Sequence, residues 1–341
     1  PRNAQPLFNL GAKQFKTLFH DGRVQVDLSR PSGLRTPLEE EMVEGFSSII
    51  SAQTMFPVLS ADEMAGHYSE NEISEAVRRG TLTGKGGAWD LISKRVQAIP
   101  EYSDFFIDTY DHIETAQDIK FTDISNAVAA FMEFEWRSDT SPFDDFLQGR
   151  LDLAISQEKG MELFYGKANC SSCHAGALFT DHQFHATGQP QVGPGKAARF
   201  QSHSRDLGRF RVTGNIKDKY AFRTPSLRNV ELTGPWGHAG AYSNLEAFVY
   251  AHLNPYLALS NYDKSNVTLT KYDANDWKIM DNANEVKAIA DSITIKPVII
   301  SDGEVTDLLA FLGTLTDIKA QKGRLGIPET VPSGLEIPNP Q

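Results

Sequence analysis

The sequence is poor in cysteine, in positive charge and in long apolar runs, and each shortage narrows what the chain can be. Only two cysteines occur among 341 residues, so no second ligand pair follows at zinc-like spacing. No run approaches the roughly 18 apolar residues that span a bilayer. The first residues, Pro1-Arg2-Asn3, lack the basic and apolar regions of a signal peptide, so any export signal has been removed or left out. Lysine and arginine number 33 against 44 acidic residues, a net charge of −11, which disfavours nucleic acid and suits either a basic partner or simple solubility. What is present, 40% hydrophobic and 23% charged residues, suits a soluble globular chain, and the length favours two domains over one.

The two cysteines lie in Cys170-Ser171-Ser172-Cys173-His174, the attachment signature of haem c. The thiols add across the haem vinyl groups, and His174 becomes the proximal iron ligand. A thioredoxin-like pair and half of a zinc site are the competing readings; neither has the surrounding βαβ pattern or the second ligand pair it needs. The flanks agree with haem. Ser156 to Tyr165 reads as a short amphipathic helix with a capping serine, delivering the chain to the motif. Asp302 to Thr314 has the apolar spacing and acidic first turn of a closing helix. Residues 150 to 318 thus read as one complete cytochrome c domain, and the Pro- and Gly-rich stretch after Lys322 as an extended tail.

The first 150 residues contain no cysteine, yet they echo the second half. Asp123 to Phe134 looks like another closing helix, followed by a linker at Ser141 to Phe146. Pro6 followed by Phe19-His20-Asp21-Gly22 matches Pro225 followed by Gly237-His238-Ala239-Gly240 at nearly equal separation, the pattern of a duplicated domain; two unrelated Pro/Gly turns are the simpler alternative. If the duplication holds, the first copy's haem histidine falls roughly 45 residues before Pro1, in a segment the sequence does not include.

Arg2-Asn3-Ala4, Phe19-His20-Asp21-Gly22-Arg23, Gln53-Thr54-Met55-Phe56-Pro57 and Glu63-Met64, with Phe179-Thr180-Asp181, Phe184-His185, Phe222 to Val230 and Leu232 to Pro235, resemble the bacterial dihaem cytochrome c peroxidase/MauG family in order along almost the whole chain. The resemblance implies an all-α fold of two cytochrome c-like domains packed face to face with long loops. On this resemblance residues 1–148 correspond to the domain with the peroxidatic pocket, without its CxxCH segment, 149–320 to the domain with covalent haem, and 321–341 to the tail. It implies periplasmic residence and two haems c, one attached in this sequence and a second upstream.

Family register also assigns residues. His252 falls where the family carries methionine or tyrosine as distal iron ligand, and a second imidazole lowers the haem potential and closes the iron to peroxide. Gln53 and Glu63 match the peroxidatic pocket, Glu63 as acid–base group and Gln53 as orienting group. Asn3, Thr233 and Pro235 match a calcium site. His20 stands where the family relays electrons through tryptophan; imidazole is harder to oxidise, and Trp236 is the substitute candidate. The function implied is reduction of hydrogen peroxide with electrons from a small redox protein, a cytochrome c or a cupredoxin, passed through the Cys170/Cys173 haem. The alternatives are MauG-like oxidation of a protein substrate and a non-enzymatic electron-transfer subunit. No nucleic acid and no membrane span are expected, and a homodimer is compatible with the resemblance.

Overall fold

A computed structural model describes residues 2–61, 63–194, 204–269 and 274–337. The chain forms two compact units with interleaved boundaries: one comprises 1–9, 19–23 and 137–321, the other 10–18, 24–136 and 322–341. The segments 1–9 and 19–23 therefore cluster with the second half, a different division from the one at 148/149 and 320/321 that the resemblance implied. The fold is helix-rich with few strands, but short strands are present where an all-α chain was expected.

In the largely N-terminal unit, β1 (Thr17–Leu18), β2 (Val24–Val26) and β3 (Leu34–Arg35) form an antiparallel meander. Helices α1 (Ile49–Gln53), α2 (Glu72–Arg79), α3 (Ala88–Gln97), α4 (Pro100–Thr109) and α5 (Phe121–Glu135) follow. Asn71 and Ser74 cap α2 reciprocally, and Gly80 ends it in a left-handed conformation at φ 75°, the backbone that glycine adopts without penalty. Met55, Trp89 and Phe121 form the core between α1, α3 and α5, with the two rings stacked 5.9 Å apart. The tail is held by α5: the buried Glu135 carboxylate accepts from the backbone amides of Arg324 and Leu325 at 2.9 and 2.7 Å.

The second unit begins with α6 (Pro142–Leu147), where the sequence suggested a linker. Ser141 and Asp144 cap each other, Phe143 enters the core, and Asp144 pairs with Arg228 through two 2.8 Å bonds. Helix α7 (Ile155–Tyr165) starts one residue before Ser156, so that serine is not the cap; its hydroxyl instead bonds the Asp307 carboxylate. Then come β4 (Phe184–His185), α8 (Phe210–Thr213), β5 (Phe222–Arg223), α9 (Leu245–Leu253), α10 (Pro255–Ser260), α11 (Ala283–Ala290) and α12 (Asp302–Gly313). Strands β4 and β5 pair antiparallel.

Helix α12 is capped by Ser301 with Glu304, and it crosses α7 closely, the first-on-last helix packing that the sequence suggested. Phe143, Phe164, Phe179, Phe311, Leu308 and Leu315 fill the core around this crossing. Phe164 and Phe143 each approach Phe311 at 5.2 Å between ring centres, offset or edge-on geometries that aromatic quadrupoles favour. Among the described residues, no helix is long and apolar enough to cross a membrane.

Candidate haem site

The Cys170-to-His174 segment leaves α7 through Asn169, whose left-handed φ of 57° turns the chain into one turn of 3-10 helix. Asparagine tolerates that conformation better than most residues. The His174 amide donates to the Cys170 carbonyl at 3.0 Å, so both thiols and the imidazole belong to one compact turn. The loop beyond is pinned from several sides. Asp181 N donates to Cys173 O at 2.8 Å, Arg228 Nε donates to Ala177 O at 2.7 Å, and Thr180 Oγ1 donates to Thr224 O at 2.7 Å. Arg228 therefore links the loop to Asp144 on α6, and its pairing holds the Asp144 carboxyl at a pKa of about 2 although burial opposes this.

His174 donates from Nδ1 to the Phe179 carbonyl at 3.0 Å. His252, in the last turn of α9, donates from Nδ1 to the Phe248 carbonyl at 3.0 Å, with the Phe248 ring edge-on to it 4.5 Å away. A backbone carbonyl on Nδ1 fixes the tautomer and leaves Nε2 as the lone-pair nitrogen, the usual outer-shell arrangement of a metal-binding histidine. Burial lowers the pKa of His174 to about 4, with the charge of His252 adding to the effect, and burial lowers His252 as well. Both rings are thus neutral at physiological pH, the state that coordinates iron. Two thiols in one turn with two neutral, pre-oriented imidazoles form a donor set that fits haem c.

Cys170 and Cys173 differ. Burial pushes the Cys170 thiol up to about 11, whereas Cys173 is lowered by a hydrogen bond from His185. His185 in turn holds the Asp181 carboxylate at 2.7 Å. In the sequence Asp181 and His185 stand only as family motif residues; their four-residue spacing is the signal that joins them. Ligand atoms of Cys173, Asp181 and His185 lie within 4.8 Å of one another, but one of the three is an attachment thiol, so the group belongs to this site.

The remaining site residues are placed as follows. Asn3 Nδ2 donates to the Pro235 carbonyl at 2.5 Å, so two of the three residues assigned to calcium meet, and Thr233 precedes Pro235 in the same turn. Rotation of the amide presents Oδ1 beside the carbonyl, an oxygen pair that suits calcium. His20 is half-buried, donates from Nε2 to Asn3 O at 2.9 Å, and has its pKa lowered to about 4 by desolvation. Trp236 donates Nε1–H to Val230 O at 2.9 Å and, like Cys170, packs against the core around Phe164 and Phe311. In the other unit, Gln53 closes α1, half-buried, and Glu63 is exposed. The Met64 amide donates to Pro57 O at 3.1 Å and folds the Glu63 segment back on Pro57.

Residues 1–152 match the family model described as di-haem cytochrome c peroxidase. The chain is 28% identical over 289 residues to the methylamine utilization protein MauG of Methylorubrum extorquens, covering 84% of this chain and 62% of that protein. It is 31% identical over 246 residues to the cytochrome c peroxidase Ccp of Escherichia coli, covering 68% and 50%. Against the cytochrome-c peroxidase IdrP1 of a Pseudomonas strain the identity is 30%, with 58% of each chain covered. The chain thus spans about three fifths of the length of IdrP1 and of this MauG. Among solved structures, it resembles a MauG-like protein associated with microbial copper homeostasis, with TM-score 0.58, 25% identity and 93% and 76% coverage. The diheme peroxidase BthA from Burkholderia thailandensis, at TM-score 0.54 and 19% identity over 95% of this chain and 70% of that one, shares the fold. The chain belongs to the dihaem cytochrome c peroxidase/MauG family.

Proposed function

We propose that this protein is a periplasmic haem c oxidoreductase that reduces hydrogen peroxide with electrons passed through a haem attached at Cys170 and Cys173. The observation that carries the reading is the matched pair His174 and His252, each held by a backbone carbonyl on Nδ1 with Nε2 left for iron. The haem, when bound, supplies one-electron exchange at a low potential. His174 and His252 would both hold the iron of that haem, which would leave no place for peroxide there. Peroxide handling falls to Glu63 and Gln53. The Glu63 carboxylate takes the proton from one peroxide oxygen and returns it to the departing one, and the Gln53 amide orients the molecule. Its exposure leaves Glu63 free to exchange protons with solvent. Asn3, Thr233 and Pro235 supply oxygen donors for calcium. His20, with its lowered pKa, is a neutral hydrogen-bond donor at the family's relay position, which leaves Trp236, packed on the same core as Cys170, as the residue suited to oxidation.

The net charge of −11 suits a basic donor, a small cytochrome c or cupredoxin. MauG-like oxidation of a protein substrate is the second reading, supported by the similarity to a MauG over 84% of this chain. Stopped-flow mixing of the reduced holoprotein with peroxide separates the two. Fast multiple turnover with a reduced cytochrome or cupredoxin supports the peroxidase; an oxidised state that persists until a protein substrate is added supports the second reading. Absence of any reaction with peroxide leaves neither standing.

A further inference from the structure

His238 is buried, and among the described residues neither of its ring nitrogens has a hydrogen-bond partner; Oε1 of buried Gln189 also has none. Buried polar atoms are costly to leave unpaired, and three close to one turn call for a polar occupant. The His238 ring is not loosely held. It stacks on Phe222 at 3.7 Å between ring centres and 13° between planes, and its own carbonyl accepts from Asn3 N at 2.7 Å. Gly237 connects both groups to the residue that holds His252. A Cβ at Gly237, the preceding residue, would lie 3.2 Å from Gln189 Oε1 and 3.6 Å from the Phe248 ring, and Phe248 is the residue whose ring and carbonyl hold His252.

We propose that His238 donates an N–H to a carboxylate side chain of the haem attached at Cys170 and Cys173, with the Gln189 amide as second donor after rotation about its terminal bond. This rests on the haem reading above. Haem c carries two such carboxylates, and a buried one needs donors as much as the orphaned imidazole needs an acceptor. The acidic neighbour that acts on the His238 ring, Asp206, has its carboxylate engaged by Arg2 at 2.6 and 2.7 Å and does not bond the ring, so among the described residues no carboxylate serves as its acceptor. Burial lowers the His238 pKa to about 3, so the ring is a neutral donor and brings no second buried charge.

Resonance Raman spectroscopy of the ferric holoprotein tests this, because the propionate bending band follows hydrogen bonding at that group and does not depend on turnover. His238→Phe keeps a ring to stack on Phe222 and removes the N–H; the band should move to lower frequency while haem content and the axial-ligand bands stay as in the wild type. His238→Gln restores a donor and should bring the band back towards the wild-type position, which a purely packing role would not do. Gln189→Leu should give a smaller shift in the same direction. An unchanged band in His238→Phe at full haem content overturns the proposal. If that variant does not retain haem, an unchanged band in Gln189→Leu at full haem content overturns it. A wild-type protein without covalent haem removes the haem reading itself, an outcome distinguishable by absorbance alone.

Discussion

Gly160 on α7 lies against the backbone of Asp307 on α12 so closely that a Cβ there would stand 1.9 Å from the Asp307 carbonyl oxygen and 2.8 Å from Phe311 Cβ. The obstacle is backbone, which cannot swing aside, so the two helices touch only because residue 160 has no side chain. Gly160→Ala should destabilise the protein by about 2 kcal/mol or more, in the range of core overpacking, although alanine is the better helix former. Urea unfolding of holoprotein followed by far-ultraviolet circular dichroism checks this. A variant as stable as the wild type would mean that α7 and α12 do not cross at this residue.

The Asp144–Arg228 pair gives a stability prediction with a pH signature. Removing the guanidinium in Arg228→Met leaves a largely buried carboxylate unpaired and also frees the Ala177 carbonyl in the loop after His174; the cost should be about 3 kcal/mol at neutral pH. The Asp144 pKa is depressed from 3.8 to about 2. The stability this contributes is therefore complete above the unfolded value and is lost as pH falls through the folded one. The gap between wild type and Arg228→Met should shrink from pH 6 towards pH 3 in thermal melts, and a gap that stays constant or widens would contradict the assignment.

Glu63→Gln keeps the size and hydrogen bonding of the side chain and removes its ability to carry a proton. Peroxide turnover by the holoprotein should fall at least about tenfold, and a hundredfold to ten-thousandfold is typical for loss of one acid–base group. Haem content and the His174/His252 spectrum should not change. Turnover at the wild-type rate would remove Glu63 from the mechanism.

Much of the second unit was legible because its signals are local and strong. CxxCH is a fixed spacing, α12 announces itself by apolar periodicity and an acidic first turn, α7 by its amphipathic pattern although its expected cap was wrong, and His252 was placed by family register. Helix α6 was missed because Ser-Pro-Phe-Asp-Asp reads equally as a turn; the feature that decides it, Asp144 meeting Arg228 across 84 residues of sequence, has no local trace. The same holds for the short β-pairs and for segments 1–9 and 19–23, which join the second half through long-range bonds such as Arg2 to Asp206 and His20 O to Arg223 N. His238 belongs to a visible Gly-His-Ala-Gly motif, but its unpartnered ring nitrogens are a property of burial, which a sequence does not display.

The central claim is a covalent haem with imidazole on both faces of the iron, and ferric electron paramagnetic resonance of the holoprotein compared with His252→Ala tests it most directly. The wild type should give the low-spin signal of bis-histidine ligation at the Cys170/Cys173 haem, with no methionine-to-iron absorption in the far red, and Cys170→Ala with Cys173→Ala should lose that signal together with the covalent haem mass. His252→Ala should convert this haem to a high-spin or water-ligated form that takes up cyanide. An unchanged low-spin signal in His252→Ala would place the sixth ligand elsewhere and contradict the account.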